Sequence, residues 1–344
     1  MLDTIHLSGF RSLLDVTVPL TPRTAILGRN GAGKTSVLEA LAMLSVTTSW
    51  RTTHDKEVVN FDTPFARVVS GDHELVIQRE PYMKRIRVDG RSMRAREVLG
   101  MLPSVLFQPD DLQLLLGAPS VRRHYLDRVL CQASPAYTAA VAQLTPVLRQ
   151  RNRLLKQIQE RKADRGELQF WNEQLIGCIE VIRPQRERLV RKLGERTPIV
   201  FSEFVAGDWQ VSLEYSASPS PEVISGDLRD FFASRESREI AAGTSLYGPQ
   251  RDDVLIAWNN HPVAASMSRG QLRSLALALK FAEVEILHEI TGVQPILLLD
   301  DILSELDHDR QITVLERLGE VQAILTSTEL PSGLPAGVLD VVTL

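Results

Sequence analysis

Gly28-Arg29-Asn30-Gly31-Ala32-Gly33-Lys34-Thr35 fits the pattern G-x-x-x-x-G-K-[ST], and its flanks supply the context that the pattern needs. A β-like run, Thr24-Ala25-Ile26-Leu27, precedes it, and Ser36-Val37-Leu38-Glu39-Ala40-Leu41 follows, so a helix is expected to start at Lys34 or Thr35. In a strand-loop-helix unit of this kind, the glycines let successive backbone N–H groups and the helix N-terminus point at phosphate oxygens. Lys34 adds a fixed positive charge, and the Thr35 hydroxyl can ligate Mg²⁺. A tight turn is enough to explain looser glycine patterns; a strand, the full motif and a helix together favour an anion site.

Near the other end, Ile296-Leu297-Leu298-Leu299 is an uninterrupted apolar run, typical of a buried parallel strand, and it ends in Asp300-Asp301. Carboxylates at a strand C-terminus stand where α/β folds place ligand groups. Asp300 can hold Mg²⁺ through water, and Asp301 can orient or deprotonate an attacking water. Ahead of this strand, Ser268-Arg269-Gly270-Gln271 introduces a helical run from Leu272 to Leu287. Ser268 can cap that helix, and Gly270 allows backbone to approach an anion. Serine-glycine-glutamine, then helix, then an apolar strand with an acidic end is the order of ATP-binding-cassette signature motifs. Ser304-Glu305-Leu306-Asp307 resembles the D-loop of those proteins. Ala323-Ile324-Leu325-Thr326-Ser327-Thr328 ends in hydroxyls where a switch His is common. A hydroxyl there, Thr328 included, can bond a γ-phosphate, and Thr326 to Thr328 are equally ordinary strand residues.

The rest of the chain frames these motifs. Its 344 residues are 44% hydrophobic, 24% charged and 6% aromatic, which excludes disorder and fibre and leaves room for two packed lobes. With 39 Lys and Arg against 43 Asp and Glu, the net charge is −4, so nucleic acid could be met only by local basic patches. Two such patches occur: Arg79, Lys84, Arg85, Arg87, Arg91, Arg94 and Arg96, and Arg149, Arg151, Arg153, Lys156, Arg161, Lys162 and Arg165. Phe65 to Val88 alternates as an antiparallel sheet with a turn at Asp89-Gly90, and Tyr125 to Arg196 has helical periodicity, read as a compact hairpin joined near Gly166. Cys131 and Cys178 have neither disulfide-framework nor zinc spacing. With no leader-like start and no apolar run of about 18 residues, a cytoplasmic protein without a membrane partner is expected. The expected fold is an α/β ATPase head with a P-loop mixed sheet and an antiparallel β subdomain, plus a mainly helical second lobe. Its bounds are read as 1–122 and 241–344 for the ATPase lobe and 123–240 for the helical lobe.

Over nearly its whole length the chain resembles the RecF family of bacterial DNA repair ATPases, relatives of the SMC-like proteins. The resemblance is carried by Leu7-Ser8-Gly9-Phe10-Arg11-Ser12-Leu13, the phosphate loop, Leu106-Phe107-Gln108-Pro109-Asp110-Asp111-Leu112, and Gly117-Ala118-Pro119-Ser120-Val121-Arg122-Arg123 with Tyr125-Leu126-Asp127. Gly248-Pro249-Gln250-Arg251-Asp252-Asp253 and the Ser268, Asp300 and Ser304 motifs complete it. Gln250 stands where the family usually has His. The resemblance implies an ATP-dependent homodimer using ATP and Mg²⁺. Gly28 to Thr35 and Ser36 of one subunit would face Ser268, Gly270 and Gln271 of the other, with Arg11, Asp307 and Thr328 at the nucleotide and Lys34, Asp300 and Asp301 as the catalytic set. Gln108 would join Thr35 and Asp300 at the metal. It also implies weak, DNA-stimulated hydrolysis, binding to double-stranded DNA at single-strand/double-strand junctions, and work with RecR and RecO in loading recombinase. A cassette ATPase of another assembly, such as a transporter, and a non-hydrolysing nucleotide-bound scaffold are the competing readings.

Overall fold

The computed structural model describes residues 1–207, 209–220, 227–319, 321–330 and 338–344. They form two compact units, one of residues 1–112, 199–208 and 268–344 and the other of 113–198 and 209–267. Residues 113–122 and 241–267, assigned from sequence to the ATPase lobe, thus cluster with the second unit, and 199–208 with the first.

In the first unit, β1 (Thr4–Phe10), β2 (Leu13–Pro19), β4 (Phe65–Ser70), β5 (His73–Gln78), β6 (Met83–Val88) and β7 (Arg91–Met93) make an antiparallel sheet in the order β2-β1-β4-β5-β6-β7. A second sheet is parallel throughout, in the order β14 (Asp340–Thr343), β3 (Arg23–Leu27), β13 (Ala323–Ser327), β12 (Ile296–Asp300) and β8 (Ser104–Phe107). Helix α1 (Lys34–Val46) is buried almost all round, as its run of Val, Leu, Ala and Met requires. Val37, Leu38, Leu41 and Leu44 share one core with Leu7, Val68, Leu75 and Ile86 of the antiparallel sheet and with Ile26, Leu298 and Ile324 of the parallel sheet. β12 is buried from Ile296 to Leu299, which is why it reads as apolar without alternation. The short α2 (Ala95–Val98) belongs to the same unit, as do α9 (Arg269–Thr291) and α10 (His308–Arg317).

The second unit holds α3 (Gln113–Leu116), α4 (Pro119–Ala133), α5 (Pro135–Gln159), α7 (Leu228–Ala242), α8 (Val263–Ser266) and most of α6 (Leu168–Phe204). It also has a small antiparallel sheet of β9 (Val211–Ser216), β10 (Asp253–Trp258) and β11 (His261–Pro262). Leu154, Leu155 and Ile158 of α5 pack on Leu168 and Ile240, and a short turn at Arg165–Glu167 closes the α5–α6 hairpin.

The family-like motifs of this unit are paired with one another. Arg122 grips Asp253 with two hydrogen bonds of 2.8 and 2.9 Å, and Arg123 donates to the Asp252 carbonyl at 2.8 Å. Asp252 is fully buried and accepts from Ser218 N at 2.7 Å, from Arg183 at 3.1 and 3.2 Å, and from the Tyr215 hydroxyl. Arg186 joins Asp127 (2.7 Å), Tyr137 (2.8 Å) and the Pro249 carbonyl (2.8 Å). Burial, with Asp252 beside it, pushes the Tyr215 hydroxyl well above its ordinary range, so it stays a proton donor. Gln250 donates to the Tyr247 carbonyl at 2.9 Å, while its Oε1 is buried without a hydrogen-bond partner.

Candidate phosphate-binding site

The loop between β3 and α1 adopts the conformation its glycines allow. Gly33 caps α1 at φ 99° and ψ 7°, with no side-chain cap and no acidic residue in the first turn. The positive φ disfavours any larger residue at Gly33, and a Cβ there, 2.6 Å from Leu13 Cδ2, would also push that side chain aside. Gly28 is constrained by space alone, since a Cβ there would stand 2.8 Å from the Leu344 carbonyl oxygen. Lys34 Nζ donates to the carbonyls of Gly28 (2.6 Å) and Arg29 (3.1 Å), which holds the ammonium over the loop.

Parallel pairing of β12 with β13 puts Asp300 beside Thr326, and the loop brings Thr35 to the same point. Asp300 Oδ1 accepts from Thr35 Oγ1 at 2.8 Å and from Thr326 Oγ1 at 2.9 Å. Asp301 sits in the left-handed region at φ 51°, with its N–H on Thr326 Oγ1 at 3.1 Å. Its Oδ1 is buried without a hydrogen-bond partner. A buried carboxylate oxygen left unpaired at a strand end is costly unless a ligand, water or cation completes it. The oxygens of Thr35 and Asp300 suit a hard divalent cation that keeps water and phosphate oxygens as its other ligands. No group of three or more His, Cys, Asp or Glu side chains suited to a metal occurs among the described residues.

These groups line one cavity of about 760 Å³, walled by Asn30, Gly31, Gly33, Lys34, Thr35 and Ser36 of the loop region, by Asp300, Asp301 and Thr326, and by Arg11, Ser12, Arg51, Glu57, Val59, Asn60 and Phe61. Arg11 lines it, yet its guanidinium is held by the protein. It donates to both carboxylate oxygens of the fully buried Glu39 (2.6 and 3.0 Å) and to the Glu57 carbonyl (3.0 Å). Glu39 also accepts from Ser49 at 2.5 Å and Arg51 at 3.1 Å. No local sequence pattern marks Glu39, Arg51, Glu57, Asn60 or Phe61, and sequence reasoning misses all five.

Several expected residues lie elsewhere. Gln108 is not among the lining residues; its N–H donates to Asp111 Oδ2 at 2.8 Å, and it borders a small, mainly apolar cavity with Phe107, Leu277 and Lys280. Gln108 thus lies outside the lining that Thr35 and Asp300 share. Thr328 falls past the end of β13 and lines another cavity with Ser304, Ser327 and Glu329, so the hydroxyl at the carboxylates is that of Thr326. Asp307 caps α10, accepting from Arg310 N at 3.0 Å and pairing with the Arg310 guanidinium. Ser268 caps α9 in a reciprocal box, Gln271 N to Ser268 Oγ at 3.3 Å and Ser268 N to Gln271 Oε1 at 2.9 Å. Ser268, Gly270 and Gln271 do not line the phosphate cavity of their own chain.

The basic patches also divide. Arg151 is buried, bonded to Glu239 at 2.5 Å, Ser245 at 2.8 Å and Asn172 at 2.9 Å, which removes it from any surface contact. Arg87 is tied to Glu74 and Lys84 to Asp55. Arg85, Arg91, Arg94 and Arg96, and Arg149, Arg153, Lys156, Arg161 and Arg165, are exposed.

Residues 1–330 match the family model described as the RecF/RecN/SMC N terminal domain. The DNA replication and repair protein RecF of Lacticaseibacillus casei (strain BL23) is 35% identical over 346 residues, covering 96% of this chain and 93% of that one. The chain belongs to the RecF family. The RecF of Synechococcus sp. (strain JA-2-3B'a(2-13)) is 36% identical over 349 residues, with 96% and 92% covered. Two solved RecF structures, of the recombination mediator protein RecF-ATPrS and RecF-ATP in the RecFOR pathway, match this RecF-family chain with TM-scores of 0.89 and 0.87. They are 27% and 29% identical, and cover 100% and 97% of this chain and 96% and 93% of theirs. An Smc head bound to the C-winged helix domain of ScpA, 16% identical with a TM-score of 0.55, shares the fold over 95% of this chain and 89% of its own. The ATPase-head architecture expected from sequence is thus the one found, except that the sheet carrying the phosphate loop is parallel throughout and not mixed, the antiparallel strands forming a separate sheet. No described helix is long and apolar enough to cross a membrane.

Proposed function

We propose that this RecF-family chain is an ATP-dependent DNA clamp for recombinational repair. The observation that carries the reading is the single cavity in which the phosphate loop, the Asp300 carboxylate and the unpaired Oδ1 of Asp301 converge. Lys34 and the N–H groups at the start of α1 bind and orient the triphosphate. Thr35 and Asp300 would hold Mg²⁺, which would supply charge neutralisation on the triphosphate when bound. Asp301 orients a water in line with the γ-phosphate and accepts its proton at the carboxylate, while Thr326 fixes the Asp301 backbone by accepting its N–H.

Ser268, Gly270 and Gln271 present an N-terminal helix turn with no phosphate of their own chain to bind. In a two-fold dimer the same turn would meet the triphosphate of the other copy, and both sites would complete themselves together. Hydrolysis then removes the bridging γ-phosphate and releases the clamp, a slow switch that DNA would speed. The exposed arginines and lysines would meet phosphates without sequence preference. Double-stranded DNA beside single-strand gaps is the expected substrate, with RecR and RecO as partners in loading recombinase and Mg²⁺-ATP as the ligand.

Turnover of ATP is measured with gapped duplex, blunt duplex and no DNA. Wild-type protein should hydrolyse slowly and be stimulated most by gapped duplex, and Asp301→Asn should lose turnover while keeping ATP binding. Unchanged turnover in Asp301→Asn would favour a nucleotide-bound scaffold instead.

A further inference from the structure

We propose that Phe61 is the stacking platform for the base of the bound nucleotide, an inference that rests on the nucleotide reading above. The cavity that holds Gly31, Gly33, Lys34, Thr35, Ser36 and the carboxylates is also lined by Arg51, Glu57, Val59, Asn60 and Phe61. A triphosphate anchored at Lys34 leaves its ribose and base to the rest of this lining, in which Phe61 supplies the aromatic ring. Phe61 is 91% exposed although its neighbours Val58 and Val59 are buried, so packing within the chain does not account for its position.

The ring stands on a fixed support. Arg79 lies 5.1 Å from the ring centroid, and its guanidinium is itself pinned to the carbonyls of Val59 and Asn60. Asn60 ties the segment to the β1–β2 turn: its side chain donates to the Arg11 carbonyl at 2.5 Å and its N–H to the Gly9 carbonyl at 2.8 Å. Asn60 Oδ1 also accepts from Asp62 N at 2.9 Å, which sets the chain direction on the far side of Phe61. A pre-positioned aromatic face backed by a cation can take up the π-face of a base with little loss of freedom, and stacking of this kind is tolerant of base identity. Phe61 is thus a binding residue for the base and leaves the phosphate chemistry to Lys34 and Asp301.

The test is titration calorimetry of the full chain with Mg²⁺-ATP and, separately, with inorganic tripolyphosphate and Mg²⁺. Phe61→Ala should bind ATP about tenfold more weakly and tripolyphosphate as wild type does. Phe61→Trp should keep ATP affinity, and its added fluorescence should be quenched by ATP and not by tripolyphosphate. Lys34→Ala should lose both ligands. Wild-type ATP affinity in Phe61→Ala, or an equal loss of both ligands, overturns the platform while leaving the phosphate loop standing. A wild-type chain that binds neither ligand overturns the loop reading and the platform together.

Discussion

Thr326 and Thr328 are two residues apart, but only Thr326 meets the carboxylates. β13 ends at Ser327, so the alternation that would carry both hydroxyls to one face stops between them. Thr326→Val removes the acceptor for Asp301 N and a donor to Asp300 Oδ1, leaving the Asp301 N–H without this partner. Turnover should fall by up to about 100-fold, the loss that misplacing a catalytic group can cause, while Thr328→Val should turn over ATP as wild type does; equal effects would place the switch hydroxyl wrongly. Gly33→Ala combines a positive φ with a 2.6 Å approach to Leu13, and should weaken nucleotide binding even though no charge is lost. The phosphate loop was legible because its whole logic lies in eight consecutive residues between a strand and a helix. Arg11 was legible as a cavity residue but not as the partner of Glu39, which comes from the next turns of a helix buried on all sides and carries no local mark.

In α5, Leu144, Val147, Arg151, Leu154 and Ile158 form one buried stripe, so Arg151 occupies a core position by helical spacing. That periodicity was the available signal that it would not reach DNA. Its partner Glu239 is also fully buried, and Glu239→Gln should lower unfolding stability by about 3 kcal/mol, because an arginine is then left buried without its countercharge. Urea unfolding should show this as a lower midpoint with an unchanged slope. Arg149, Arg153 and Lys156 fall at spacings of four and three and are exposed, making a basic stripe on the same helix. Replacing all three with Gln should weaken duplex binding and flatten its salt dependence by about 0.9 in log–log slope for each DNA phosphate left unneutralised. An unchanged slope, read from anisotropy titrations at several salt concentrations, would move the DNA surface to Arg85, Arg91, Arg94 and Arg96.

For the whole molecule, sheet order was the part hardest to read. β3 lies between β13 and β14, strands from the opposite end of the chain, and no local periodicity reports such pairings. The buried apolar character of β12 was legible, since a central parallel strand has two covered faces. The signature turn was legible as a helix cap and a family-like motif, and Ser268 and Gly270 stand outside the cavity that Lys34 and Asp301 line. Completion by a second copy is the claim on which the clamp depends. Light scattering with Mg²⁺-ATP tests it most directly, using wild-type protein and Ser268→Arg, each with nucleotide binding measured in parallel. The account predicts that wild-type mass doubles with ATP, while Ser268→Arg binds ATP and stays monomeric; a Ser268→Arg protein that dimerises like wild type would contradict it.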